Sequence, residues 1–204
     1  MAGWRSGTRS IPVTRLSDHP PAAPPVEPGT FRRTMALFVS GVTVITVRDP
    51  ATGQPRGMTA NAVMSVSLRP PLIVVSVRRS AHLHSALRRA GAYGVTVLGA
   101  HQEVQARRFA GLPVAGEAPA PSFTQYGGVP LLGDGLAWIT ARVTAAHPAG
   151  DHTLFVGQVT GLGPDNEHTA PLAFHRSVFA RLAAPEPHGP LPIQTWETGL
   201  DMWG

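Results

Sequence analysis

The sequence predicts a mainly β protein: an antiparallel barrel, closed or nearly closed, with a few short helices. Two observations carry this. About seven short runs rich in β-branched residues follow one another. They do not alternate regularly with helical periods, which argues against a doubly wound parallel sheet. Strands in that number leave open edges unless the sheet curls on itself, so a barrel is the expected solution.

Taken in order, residues 1–29 hold Pro20-Pro21 and Pro24-Pro25 and are expected to stay extended or disordered. The folded body spans 30–183. Thr30 can cap a first helix with Phe31, Met35, Phe38 and Val39 on its apolar face, ended by Gly41. Residues 42–47 (Val-Thr-Val-Ile-Thr-Val) read as a strand, 49–53 as a turn, and Gly57 to Leu68 as a second strand region. Residues 72–77 lack alternation and read as a buried third strand. Ser80 can cap a helix over 81–90 that carries Leu83 and Leu87 on one face and stops at Gly91.

A fourth strand covers 93–98. A helix over 101–110 is expected to bury Val104 and Phe109. Residues 111–130 read as a long Gly/Pro-rich loop. Residues 136–144 and 153–159 form a hairpin around Gly150-Asp151, with Trp138 in the core, and 177–182 is a last short strand. The tail 184–204 is Pro-rich but holds Trp196 and Trp203. It is either loose or docked through its indoles on the body or on a partner chain.

Composition narrows the function classes. There is no cysteine, which removes disulfides, thiolate metal sites and cysteine nucleophiles. No apolar run approaches a membrane span, and Met1 to Ser10 lack the apolar core of an export signal, so no membrane and a cytoplasmic location are expected. The net charge of +5 comes entirely from arginine, scattered as short pairs rather than one basic block. Nucleic-acid binding is therefore not expected, although an anion-binding barrel is a competing reading.

The chemistry concentrates between Gly57 and Pro71. Thr59, Asn61, Ser65 and Ser67 alternate, which would put them on one face of an extended strand. Small residues surrender core volume and allow a ligand close to the backbone. A polar strand face turned to water fits the same pattern. Elsewhere, His82-x-His84 would not share a helix face and no carboxylate adjoins it, so no metal is expected. Asp151-His152 resembles half of a hydrolytic relay but lacks a Gly-x-Ser-x-Gly partner. Arg107 and Arg108 read as a solvated helix face, or as a contact for a nucleotide pyrophosphate.

The ordered set Gly41 to Thr46, Gly57 to Ala62, Ser65 to Leu72, Gly94 to Leu98, Gln102, Phe109-Ala110, Pro130 to Leu132, Gly150-Asp151-His152, Val156 to Val159 and Pro171-Leu172 resembles the flavin reductase family. These are the NAD(P)H:flavin oxidoreductase components of two-component monooxygenases. The resemblance covers about Phe31 to Leu182. It implies an FMN-binding split β-barrel that uses FMN or FAD with NADH or NADPH. It further implies a homodimer with the flavin near the subunit interface and a flavin-dependent monooxygenase as functional partner. By position, Thr59, Ala60 and Asn61 would line the flavin, and Ser65, Val66 and Ser67 would bond the ring edge. Ser80 and His82 would hold the phosphate or ribityl chain, Phe109 would lie close to the flavin, and His152 would sit on the nicotinamide side.

Two positions depart from the family: His82 stands where threonine is common, and Thr96 where asparagine is common. Hydride transfer between two cofactors needs geometry and electrostatics rather than an acid or base, so no catalytic side chain is assigned. An oxidase or a flavin carrier without turnover is the alternative on the same barrel.

Overall fold

A computed structural model describes residues 24–182 except 115, 117, 118, 165, 167 and 168; the expectation for the tail 184–204 lies outside the described residues, as does that for 1–29 up to residue 23, while residues 28 and 29 of that expected tail begin a helix instead. Three helices, α1 (Pro28–Met35), α2 (His82–Ala90) and α3 (Glu103–Phe109), accompany twelve strands. The strands are β1 (Ser40–Gly41), β2 (Thr43–Arg48), β3 (Pro55–Ala60), β4 (Val63–Leu68), β5 (Pro71–Arg78), β6 (Ala92–Val97), β7 (Phe123–Tyr126), β8 (Val129–Leu132), β9 (Ala137–Ala149), β10 (His152–Pro164), β11 (Leu172–His175) and β12 (Val178–Arg181). No helix among the described residues is long and apolar enough to cross a membrane.

Seven strands form one antiparallel sheet in the order β3-β2-β6-β9-β10-β5-β4. Its two edge strands, β3 and β4, are neighbours in sequence, joined only by Asn61-Ala62. Three Cα–Cα steps span at most about 11 Å, so the sheet must curl until its edges meet at that corner. No ladder seals them there. The sheet is curled but not closed, in agreement with the split barrel that the resemblance implies and with the nearly closed form of the strand reading. A three-stranded sheet, β1-β11-β12, and a β7-β8 hairpin cover its outside.

Both faces of β2 are buried. Ile45 and Val47 point inward, into a cluster with Val75, Val77, Tyr93 and Phe155 that Leu83, Ala86 and Leu87 of α2 plug. Val44, with Val42 just before the strand, packs the other way against Leu98, Ala106, Leu132 and Leu172. Gly94 makes the crowding possible, since a Cβ there would lie 2.7 Å from both the Pro130 carbonyl and Thr46 Oγ1.

Several local expectations are corrected. The count of about seven strands fell short because region 57–68 is two strands and because β1, β7, β8 and β11 are short. The 111–130 loop contains β7 and the start of β8. Glu27, not Thr30, caps α1: its carboxylate accepts the Gly29 and Thr30 N–H groups at 2.8 and 2.7 Å. The supposed apolar face of α1 buries nothing, and Phe31, Met35, Phe38 and Val39 are all exposed. Ser80 does not cap α2; Ala81 holds that position with no side-chain bond. Val104 is exposed and Ala106 is the buried residue of α3, while Trp138 is half-buried against the Tyr126 ring at 4.9 Å.

Candidate active site

The corner where β3 and β4 part company is also the mouth of a cleft of about 180 Å³. Thr59, Ala60 and Asn61 form one lip of it. Phe174 and Phe179, paired across the β11-β12 hairpin at 5.4 Å, form an aromatic wall, and Ala110 and Leu112 follow α3 to the other side. The Arg107 guanidinium lies 5.4 Å from the centre of the Phe179 ring and is held there by Glu103 at 2.9 Å. Arg107 is therefore neither a free solvated charge nor a proven phosphate contact.

Thr59 and Asn61 are already partly engaged. Thr59 Oγ1 donates to the Ala106 carbonyl at 2.7 Å and pins α3 to β3. Asn61 Nδ2 donates to Ser40 Oγ at 3.2 Å, which ties the corner to the strand that follows α1. Phe109 flanks the cleft rather than lining it. Its ring rests on Gly57, where a Cβ would come within 2.8 Å, and meets Phe123 edge-on at 6.3 Å.

Ser65, Val66 and Ser67 sit on β4. They do not share one continuous strand face with Thr59 and Asn61, because the chain turns at Asn61-Ala62 from one sheet edge to the other. The register slips between Ser65 and Ser67, making Val66 a bulge residue. Bulges recur beside active sites because they re-aim backbone groups. As an edge strand, β4 pairs only with β5, so its outer N–H and C=O groups have no strand partner. From Val63 to Leu68 this edge runs about 16 Å at ~3.3 Å per residue.

The third group lies at the far end of β5. The Arg79 N–H donates to the Asp151 carbonyl at 3.0 Å, tying the turn before α2 to the β9-β10 turn. This brings Ser80, His82 and His152 to one end of the barrel, with Ser80 and His82 exposed. The Ser76 N–H donates to the Ala62 carbonyl at 3.1 Å, so the same end adjoins the corner. His152 Nδ1 lies 2.7 Å from Asp151 Oδ1. That hydrogen bond, more than the nearby Arg78, holds the Asp151 carboxyl below its ordinary range. His84 faces away from His82: its Nε2 meets Thr153 Oγ1 at 2.9 Å, and burial beside Arg88 and Arg79 pushes its pKa down.

These residues fit a flavin. A flat apolar slot with an aromatic wall suits a tricyclic ring, and an adjoining strip of unpaired backbone groups suits its polar edge. Phe174 and Phe179 escaped the sequence reading. Their signal was present as two aromatics placed symmetrically about His175 to Val178, which a tight turn sets opposite each other, ring edge to ring face. Among the described residues, no group of three His, Asp or Glu side chains could hold a metal ion.

Comparison with known proteins gives a consistent picture. The flavin reductase like domain family matches residues 35–183. An NADH-dependent flavin reductase from a Rhodococcus species is 41% identical over 160 residues, covering 78% of this chain and 89% of that protein. The reductase component of 4-hydroxyphenylacetate 3-monooxygenase from Thermus thermophilus is 38% identical over 157 residues, covering 76% of this chain and 97% of that protein. The solved flavin reductase PheA2 superposes with a TM-score of 0.72 at 37% identity, covering 78% of this chain and 100% of that one.

Proposed function

The chain belongs to the flavin reductase like family, and from that premise we propose that it passes hydride from NADH to FMN or FAD and supplies reduced flavin to a partner monooxygenase. The observation that carries the reading is the open corner, where an apolar slot meets a free strand edge. Bound flavin supplies the redox chemistry, taking a hydride from the reduced nicotinamide. What remains for the chain is binding, orientation and electrostatics.

Each part of the corner has a task. Phe174 and Phe179 orient the ring and keep water from one side of it. The outer N–H groups of β4 around the Val66 bulge donate to the ring edge, where they favour the extra negative charge of the reduced form. Ser80 and His82 take the ribityl or phosphate end; His82 donates to an anion most strongly when protonated. His152 gives its Nδ1–H to Asp151, which leaves Nε2 for the nicotinamide. The names of the relatives favour NADH as donor. We take the cytoplasm as the compartment, because that is where the reduced nicotinamide pool lies.

A homodimer belongs to the same reading. Met64, Val66 and Leu68 are exposed along β4, and an apolar edge strand left bare is an aggregation hazard. A second copy lying over that edge would cover it and close the flavin corner.

Steady-state oxidation of NADH and NADPH, each with FMN and with FAD, tests the function. The expected result is saturable NADH consumption that requires added or bound flavin. Flavin binding with no consumption above the enzyme-free rate would leave a carrier instead of a reductase.

A further inference from the structure

The first helix poses a separate problem. α1 is an eight-residue helix that buries none of its residues. A helix that short is marginal in water unless something packs on it. Around it Phe31, Met35, Leu37, Phe38 and Val39 are 48–67% exposed, and Val178 from the neighbouring hairpin is 59% exposed. The patch ends at Val39, beside Ser40, whose Oγ accepts from Asn61 Nδ2 at 3.2 Å, so it approaches the corner from the α1 side.

It is also basic. A depression of about 320 Å³ between α1 and the β11-β12 turn is lined by Arg32, Arg33 and Arg176 with Ala36, Leu37 and Ser177. The Arg176 N–H donates to the Ala36 carbonyl at 2.7 Å, which fixes the turn against the end of the helix. Arg176 and Ser177 both hold positive φ, 49° and 65°, so the turn is tightly wound. None of the three arginines forms a salt bridge among the described residues. Glu27, whose carboxyl senses Arg32, already accepts two backbone N–H groups.

We propose that the C-terminal segment 183–204 docks on this surface, laying Trp196 and Trp203 on the apolar residues of α1 and placing Glu197 and Asp201 against Arg32, Arg33 and Arg176. Charge selects this occupant. Segment 183–204 carries Glu186, Glu197 and Asp201 and no arginine, whereas residues 1–23 carry Arg5, Arg9 and Arg15 against a single Asp18 and would be repelled. Its apolar residues, Trp196, Leu200, Met202 and Trp203, match a greasy face bordered by guanidinium groups. Reach is ample: the fourteen residues from Ala183 to Trp196 extend to about 45 Å. The family match reaches no further than 183, so it does not extend along the segment. The hairpin it would grip carries Phe174 and Phe179, so docking would brace the wall of the flavin slot.

Hydrogen exchange measured by mass spectrometry on the peptide spanning 28–39 tests this. Three forms are compared over a hundredfold range of concentration: the full chain, the chain ended after Leu182, and the full chain with Glu197→Arg and Asp201→Arg. The expected result is slowing of at least tenfold in the full chain that is independent of concentration. It is lost on truncation and weakened by charge reversal, while exchange in 43–47 stays unchanged as the check on folding. Should the truncated chain not fold, the charge-reversed chain and Arg176→Glu decide, each expected to speed exchange in 28–39. Unprotected α1 in the full chain, protection that survives both changes, or protection that fades on dilution (a second copy as the cover) would each overturn the proposal.

Discussion

Tyr93 shows how much a single side chain reveals here. Its ring is completely buried, and its hydroxyl is a buried polar atom without a hydrogen-bond partner among the described residues. Burial pushes the phenol well above its ordinary pKa. The oxygen sits against Gly157, where a Cβ would come within 2.5 Å of it. An unsatisfied buried hydroxyl costs about 1–3 kcal/mol, offset in part by the contacts it fills. Tyr93→Phe should therefore leave stability unchanged or raise it by about 1 kcal/mol, read by urea unfolding. A clear loss would mean that the hydroxyl has a partner such as an ordered water. At this scale the sequence was informative about residue type and silent about engagement. Thr59 and Asn61 were legible as small polar groups near a ligand. That Thr59 spends its proton on α3 depends on a residue 47 positions away.

Elements explain why the site residues were found but mis-assembled. Region 57–68 looked like one strand because both halves are rich in small and β-branched residues. The break at Asn61-Ala62 carries neither glycine nor proline, and a single asparagine is a weak turn signal inside so strand-like a run. Only the closing of the sheet, which sends β3 and β4 to opposite edges, forces the turn. The exposed face of α1 was misread for a related reason: periodicity reports an apolar stripe and not what covers it. Thr59→Val removes the bond from β3 to α3 while keeping the shape. It should cost about 1 kcal/mol, since one side-chain hydrogen bond is lost and the Ala106 carbonyl loses its partner. It should also weaken flavin binding, because Ala110 and Leu112 follow α3. An unchanged flavin affinity would show that α3 is held by other means.

Asp49 links the β2-β3 turn to α2 and gives the fold an acid limit. Its carboxylate accepts the Ala51 N–H at 3.0 Å and meets Arg56 at 2.6 Å and Arg89 at 3.7 Å. The Ala51 bond first, then the two arginines, hold its pKa below the ordinary 3.8 against an opposing push from desolvation. A lowered folded-state value means the stabilisation is complete above the unfolded value and disappears as pH falls through the folded one. Thermal unfolding should thus show no pH dependence from this group between pH 5 and 8, where its stabilisation is complete, and a steeper decline below about pH 4 in the native chain than in Asp49→Asn. Equal slopes in acid would remove Asp49 from the account.

At the scale of the whole molecule, the site follows from one fact: the edge strands β3 and β4 are consecutive in sequence yet do not pair, which leaves an unsealed corner. The mainly β class was legible because both faces of β2 and the inner face of β5 carry β-branched residues throughout. The split was legible only through the family resemblance and not from the strand pattern, because it depends on pairing between distant segments such as β6 with β9. The bare apolar edge at β4 predicts self-association. Sedimentation should give a dimer, and Val66→Glu with Leu68→Glu should give monomer with reduced flavin affinity. A monomeric native chain would contradict that part.

The open corner as flavin seat is tested most directly by titrating FMN and FAD with the native chain and with Ala110→Trp, an exposed position on the rim of the slot. Flavin fluorescence and thermal unfolding are followed together. The account predicts saturable quenching by the native chain and at least a tenfold weaker affinity for the variant, with the unfolding temperature of the free proteins unchanged. Equal affinity in the two proteins would contradict it and place the flavin elsewhere.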